Sequence, residues 1–250
     1  GLHFHIGSGI SRPGDYTNAL KRLNTVIDKA MNKNLAINIL DIGGGIGSGT
    51  SREMTTGEML LYQGFEKLPK LKRSGMGRSF REFASAISKE LTNIFKDKAL
   101  PELILEPGRS ITSSNQFLLL TVHDVKERPG IKKWLITDGG IGTVTMPTYY
   151  ECHQVFLCNE PNRPETGKVT IIGPVCFAGD IVYRNITMPQ VEPGEVLAIM
   201  DSGAYFTGWE SSFSFPRSAI IVVDHEEHKL IRRRETFEDM VIRDEIGQGF

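Results

Sequence analysis

Three short stretches of this 250-residue chain carry side chains that could do chemistry. The first is Leu2-His3-Phe4-His5-Ile6, closed by Gly7-Ser8-Gly9. Alternation along a strand puts His3 and His5 on one face. That pair reads three ways: an H-x-H metal pair, one imidazole lying flat against a ring, or a histidine satisfied by hydrogen bonds. The second is Leu40–Gly49, LDIGGGIGSG, which follows the apolar run Ala36–Leu40. Gly43, Gly44 and Gly45 remove every side chain from the strand's exit. Glycine there allows positive φ and close approach to the backbone, and successive N–H groups make a nest for an anion, usually a phosphate. Its plain structural reading is a tight strand-to-loop turn. The third is Glu106-Pro107-Gly108-Arg109, at the end of Leu103-Ile104-Leu105.

A catalytic metal site usually needs three protein ligands. Beyond the histidines, the second stretch offers Asp41 before bare glycine. The third offers Glu106 beside Arg109, a cation that disfavours a metal. Glu106 and Arg109 fit a different ligand better. A carboxylate within reach of a pyridine nitrogen keeps that nitrogen protonated, while a guanidinium and glycine N–H groups neutralise a phosphate dianion. A ring with a basic nitrogen and a phosphate is pyridoxal 5'-phosphate. Alone, Glu106–Arg109 also reads as a surface turn with an ion pair.

These stretches need parallel strands to bring them together. Leu2–Ile6, Ala36–Ile42 and Leu103–Leu105 read as strands. Between them, Asp15–Asn34 carries a helical apolar stripe of Ala19, Leu20, Leu23, Val26, Ile27 and Ala30. Phe80–Phe95 carries another. Ser48–Arg78 reads as a long excursion with a short helix near Glu58–Leu68; its basic run Lys67, Lys70, Lys72 and Arg73 reads as a solvated face. The order strand–helix–strand–helix–strand implies a β/α arrangement with chemistry at the strand exits. After about residue 112 the texture changes. Gln116–Val125, Trp134–Thr137, Lys168–Ile172, Ile181–Ile186, Val196–Met200, Ala219–Val223 and Leu230–Arg234 read as strands punctuated by turns. That half reads as a mostly antiparallel β-sandwich or barrel, with the boundary near Ser110–Asn115.

Composition narrows the function classes. Lys+Arg 29 against Asp+Glu 30 leaves a net charge of −1, so a general nucleic-acid role has no basic face to rest on. Cys152, Cys158 and Cys176 are too few for a disulfide scaffold and match no zinc spacing. Reduced thiols in a cytoplasmic enzyme are the expectation. No run reaches the roughly 18 apolar residues of a membrane span. The chain opens without Met inside a strand-like stretch, and so reads as a piece of something longer.

As a set, these motifs carry a family resemblance. His3-Phe4-His5-Ile6-Gly7-Ser8, Asp41-Ile42-Gly43-Gly44-Gly45 and Glu106-Pro107-Gly108-Arg109 stand in order. Gly173-Pro174-Val175-Cys176 with Asp180, Gly203-Ala204-Tyr205, and Arg232-Arg233-Arg234-Glu235-Thr236 follow. The chain resembles the pyridoxal-phosphate decarboxylases of the alanine-racemase-like fold, which act on diaminopimelate, ornithine or arginine. The resemblance implies the C-terminal part of a cofactor-binding β/α barrel over residues 1–112 and a C-terminal β domain over 113–250.

The same resemblance implies roles. His5 stacks on the cofactor ring. Ser8, Gly43–Gly45, Gly108 and Arg109 hold the phosphate, Glu106 pairs with the pyridine nitrogen, and Tyr205 touches the phosphate from the second domain. Cys176 enters from the partner of a homodimer with composite sites and supplies a proton; Asp180 faces the same neighbour. The family's Schiff-base lysine lies upstream of the His-Phe-His strand, in a first barrel half that this chain lacks, so the isolated piece is expected to be inactive. Two readers of a charged substrate end differ. Met146 stands where diaminopimelate decarboxylases carry Arg, and Phe177 stands where they carry Glu. Glu151 is the candidate replacement at the substrate, itself an amino acid of unassigned identity, and Asp180 is the other expected substrate-binding residue. Two other readings remain: a metal-dependent hydrolase built on His3 and His5, and a catalytically silent regulatory relative.

Overall fold

The computed structural model describes residues 1–48, 51–69, 79–145 and 150–245. The first sheet is built from three short parallel strands, β1 (Leu2–His3), β2 (Ile39–Asp41) and β4 (Glu102–Ile104), in the order β1-β2-β4. Helix α1 (Pro13–Met31) follows β1, and α3 (Phe80–Ile94) precedes β4. Both helices pack on one face of the sheet. Leu20 and Ile27 of α1, Phe83, Ile87 and Leu91 of α3, and Leu40 and Ile42 form one buried cluster, against which Leu2, Phe4 and Ile6 also pack. The alternation read from the sequence therefore holds: the apolar residues of the first stretch face the helices, and His3 and His5 take the other face. A ring contact at 6.0 Å between Tyr16 and Phe83 ties the two helices.

Among its described residues, the excursion between β2 and α3 holds a strand besides the expected helix. It contains strand β3 (Arg52–Glu53) and helix α2 (Thr56–Phe65). A capping box between Thr55 and Glu58 starts α2, and another between Ser79 and Glu82 starts α3. Tyr62 is buried, and its hydroxyl accepts a hydrogen bond from the backbone N–H of Arg184 at 2.9 Å. Of the basic run, Lys70, Lys72 and Arg73 lie outside the described residues.

The second sheet has six strands: β5 (Leu118–Arg128), β6 (Lys132–Thr137), β8 (Val155–Leu157), β9 (Glu165–Ile172), β10 (Ile181–Pro189) and β11 (Val196–Ile199). Their order is β10-β9-β6-β5-β11-β8. Every pairing is antiparallel except β6–β9. Its core gathers Val122, Leu135, Ile171, Val182, Tyr183 and Leu197. Two smaller ladders lie among the described residues. Strand β3 pairs antiparallel with β7 (Glu151–Cys152), and β12 (Ile220–Asp224) forms a hairpin with β13 (Glu227–Arg232). Helices α4 (Arg109–Thr112), α5 (Phe206–Trp209) and α6 (Phe237–Val241) are one turn or little more. The sequence indicated neither β7 and β8 nor these helices, because two to five residues carry too little periodicity.

Candidate active site

The strand exits of the parallel sheet converge. His3 sits opposite Asp41 in the β1–β2 register, and Asp41 opposite Ile104 in β2–β4. The ladder continues past the strands: Phe4 N–H donates to Asp41 O at 3.0 Å, Ile42 N–H to Ile104 O at 3.1 Å, and Glu106 N–H to Gly43 O at 3.0 Å. His3 Nδ1 lies 2.9 Å from Asp41 Oδ2. Ligand atoms of His3, Asp41 and Glu106 all fall within 4.8 Å of one another. The backbone N–H of Gly43 donates to Asp41 at 2.9 Å. That bond first, and His3 after it, holds the Asp41 carboxyl below the usual aspartate range.

The glycines meet both demands read from the sequence, positive φ and close approach, and the approaching groups are neighbouring strand exits. A Cβ on Gly44 would stand 2.0 Å from the Glu106 carbonyl oxygen, and one on Gly45 1.9 Å from that of Gly7. One on Gly43 would meet Phe4 O at 2.8 Å and the His5 ring nitrogen Nδ1 at 2.9 Å. Gly43 and Gly45 also have φ of +66° and +97°. So the triplet lets three strand exits touch, and leaves the His5 ring beside bare backbone. From behind, the buried Tyr16 hydroxyl donates to Gly44 O at 2.6 Å. His5, Ser8, Glu106 and Gly108 are all exposed.

A second polar cluster forms around Arg109. Its guanidinium is nearly buried, with Nη1 donating to Glu151 and Nη2 to Glu53. Burial works against its charge, but Glu151 and Glu53 outweigh that and raise its pKa. The register explains the pair of acids, since Glu53 stands directly opposite Glu151 in the β3–β7 ladder. The Tyr205 ring lies 5.5 Å from the guanidinium carbon, held there by a backbone φ of +68°. Behind Glu151 sits His153, also buried, with Nε2 3.0 Å from Glu151 Oε2. Glu53 and His153 escaped the sequence reading. A two-residue ladder and a lone buried histidine leave no pattern to find.

The remaining candidates lie on one turn. Cys176 is exposed. Asp180 is buried, and its carboxylate accepts from the N–H of Ile141 at 2.6 Å and of Val175 at 2.8 Å. A Cβ on Gly140 or Gly173 would come within 2.0 or 2.4 Å of that carboxylate. Asp180 thus ties the turn that displays Cys176 to the loop after β6. Met146 lies outside the described residues.

Comparison with known proteins bears directly on this arrangement. Residues 1–113 match the family profile described as "Pyridoxal-dependent decarboxylase, pyridoxal binding domain". Residues 1–113 are therefore similar to the pyridoxal-binding domain of the pyridoxal-dependent decarboxylases. Over 247 residues it is 30% identical to the diaminopimelate decarboxylase of Methanocaldococcus jannaschii, covering 98% of this chain and 51% of that protein. It is 31% identical over 250 residues to the same enzyme of Methanothermobacter thermautotrophicus, covering 96% of this chain and 52% of that one. The M. jannaschii crystal structure in co-complex with L-lysine superposes with a TM-score of 0.77 at 28% identity, covering 99% of this chain and 52% of that chain. The chain therefore spans about half the length of the decarboxylases it matches. Among its described residues, no helix is long and apolar enough to cross a membrane.

Proposed function

We propose that this chain forms part of a pyridoxal 5'-phosphate-dependent amino-acid decarboxylase, with residues 1–112 the C-terminal part of the cofactor-binding barrel and 113–250 a β domain. The observation that carries this reading is the convergence of His5, the Gly43–Gly45 backbone and Glu106 at three adjacent parallel strand exits. The residues fit the cofactor. His5 offers a flat ring in a space that a Cβ on Gly43 would invade, Glu106 offers an exposed carboxylate, and Ser8 and the glycine backbone offer donors. When bound, pyridoxal phosphate supplies the electron sink for breaking the bond to the substrate carboxylate.

The chain's own residues bind, orient and protonate. His5 supports the ring face, and Glu106 holds the proton on the ring nitrogen. Ser8, Gly43–Gly45 and Gly108 surround the phosphate. Arg109 gives two of its five donors to Glu53 and Glu151, so its remaining donors and the Tyr205 hydroxyl complete that site. Glu151 serves the substrate end from the same cluster. Cys176 Sγ carries a proton to the site of a partner subunit in a homodimer, and Asp180 fixes the turn that presents it. The substrate class is a diamino acid of the diaminopimelate, lysine or ornithine kind, and the compartment the cytoplasm.

The test uses this chain and the longest natural reading frame that contains it. Pyridoxal phosphate is titrated into each, and carbon dioxide release from meso-diaminopimelate, lysine, ornithine and arginine is measured. The longer protein is expected to develop a cofactor absorbance band and decarboxylate one of these; the 250-residue chain is expected not to turn over. Absence of a band in both preparations overturns the proposal.

One observation favours a second reading. His3, Asp41 and Glu106 are close enough to share one cation, as a metal-dependent hydrolase would require. Stoichiometric zinc retained through dialysis, and lost in His3→Ala, would support it over the first.

A further inference from the structure

His153 has both ring nitrogens against hydrogen-bond acceptors. Nδ1 lies 2.9 Å from the carbonyl oxygen of Met200, and Nε2 lies 3.0 Å from Glu151 Oε2. A carbonyl has no proton to give. An ionised carboxylate has none either, and Glu151 Oε1 already accepts from Arg109. A neutral imidazole carries one N–H, which would leave a lone pair facing an acceptor's lone pair in a buried place. Two N–H groups satisfy both neighbours.

We propose that His153 is a positioning residue: its doubly protonated imidazole holds Glu151 onto Arg109 and fixes the guanidinium where the cofactor phosphate is read. The charges around it then balance. Arg109 and His153 contribute two positive charges, Glu53 and Glu151 two negative ones. Arg52 and Glu58, which face Cys152, pair with each other and add no net charge, and the remaining neighbours are neutral. Tyr183 accepts from the His153 backbone N–H at 2.8 Å through its hydroxyl, and burial holds that phenol neutral. Cys152 is buried with its thiol pushed up to about 11. Tyr150 is likewise raised by burial. The Phe206 ring meets the imidazole edge-on at 5.2 Å. Without the histidine proton the cluster would carry a net negative charge, in which a phosphate dianion is disfavoured.

The consequence for the phosphate rests on the function proposed above; the proton count does not. The two parts are therefore tested separately. Nitrogen NMR of the folded 250-residue chain at neutral pH is expected to show both ring nitrogens of His153 protonated. A bare ring nitrogen overturns the proposal, and this measurement needs no variant. His153→Gln keeps only one amide group to share between Met200 O and Glu151. In that variant the Arg109 side-chain N–H signals are expected to exchange with solvent about tenfold faster. Unchanged exchange means that His153 does not position Arg109, and overturns the proposal.

In the longest natural reading frame, His153→Gln is expected to weaken pyridoxal phosphate about tenfold while leaving pyridoxal, which lacks the phosphate, unaffected. Equal weakening of both removes the phosphate part of the proposal. If the parent protein binds no pyridoxal phosphate while both NMR results hold, the cofactor reading fails and the buried proton stands.

Discussion

The molecule holds two polar clusters of similar composition and opposite character. His3, Asp41 and Glu106 lie at open strand exits, where His3 and Glu106 are exposed. Arg109, Glu53, Glu151 and His153 form a closed cluster in which every charged group already has a protein partner. In the open cluster, water screens each interaction and side chains remain available to an incoming group. In the closed one, low dielectric makes each pairing strong and each loss costly. Glu151 and Arg109 are thus held by protein partners, whereas His3, His5 and Glu106 stand exposed.

The largest expected effect breaks that contrast if it fails to appear. Glu151→Ala strips a buried partner from both Arg109 and His153, and should cost about 3–5 kcal/mol of stability by urea denaturation. His3→Ala, in the exposed cluster, should cost less than about 1 kcal/mol. Equal losses would mean that burial does not separate the two clusters.

The backbone of the open cluster is the next place to look. Gly44→Ala drives a Cβ into the Glu106 carbonyl and should cost about 3 kcal/mol. Gly57→Ala in α2 meets nothing within 4 Å, and should instead stabilise the helix by about 0.5–1 kcal/mol. A mild Gly44→Ala would show that the strand exits can spread.

Thiol labelling sharpens the contrast without mutation. At pH 8 the exposed Cys158 and Cys176 should react quickly, whereas Cys152, buried beside Glu151 with its thiol raised to about 11, should react only on unfolding. Three fast thiols in the folded chain would show that the region behind Glu151 is open.

The smallest effect is on acid stability. The folded Asp41 carboxyl is depressed, chiefly by the Gly43 N–H. Its contribution is therefore complete above the ordinary aspartate value of about 3.9. It is lost as pH falls through the lower folded value. Denaturation midpoints measured from pH 5 to pH 2.5 should fall less steeply in Asp41→Asn than in the parent chain. Identical slopes would remove Asp41 from the set of groups that matter in the folded state.

How much of this was legible varied with range. The parallel strands were readable because charged and glycine-rich exits end each apolar run, and the helices because Leu20, Ile27, Phe83, Ile87 and Leu91 repeat at helical spacing. The glycine triplet was found with its reason, positive φ and close approach, but not with the groups that approach: a carbonyl arriving from Glu106 or Gly7 is invisible until strands are paired. Arg109 was singled out, yet its partners stand 56 and 42 residues away, brought together by the two-residue β3–β7 ladder. His153 gave no signal, since nothing in the sequence says which histidine will have both nitrogens buried against acceptors.

That long-range ladder also sets an order in time. During synthesis Arg109 is made after Glu53, but Glu151 follows only 42 residues later. At about 5–20 residues per second, that gap lasts about 2 to 8 seconds. For that interval the guanidinium has been made with only one of its two acids. The second acid arrives with β7, the strand that pairs with β3, so the cluster cannot be complete before that ladder is made.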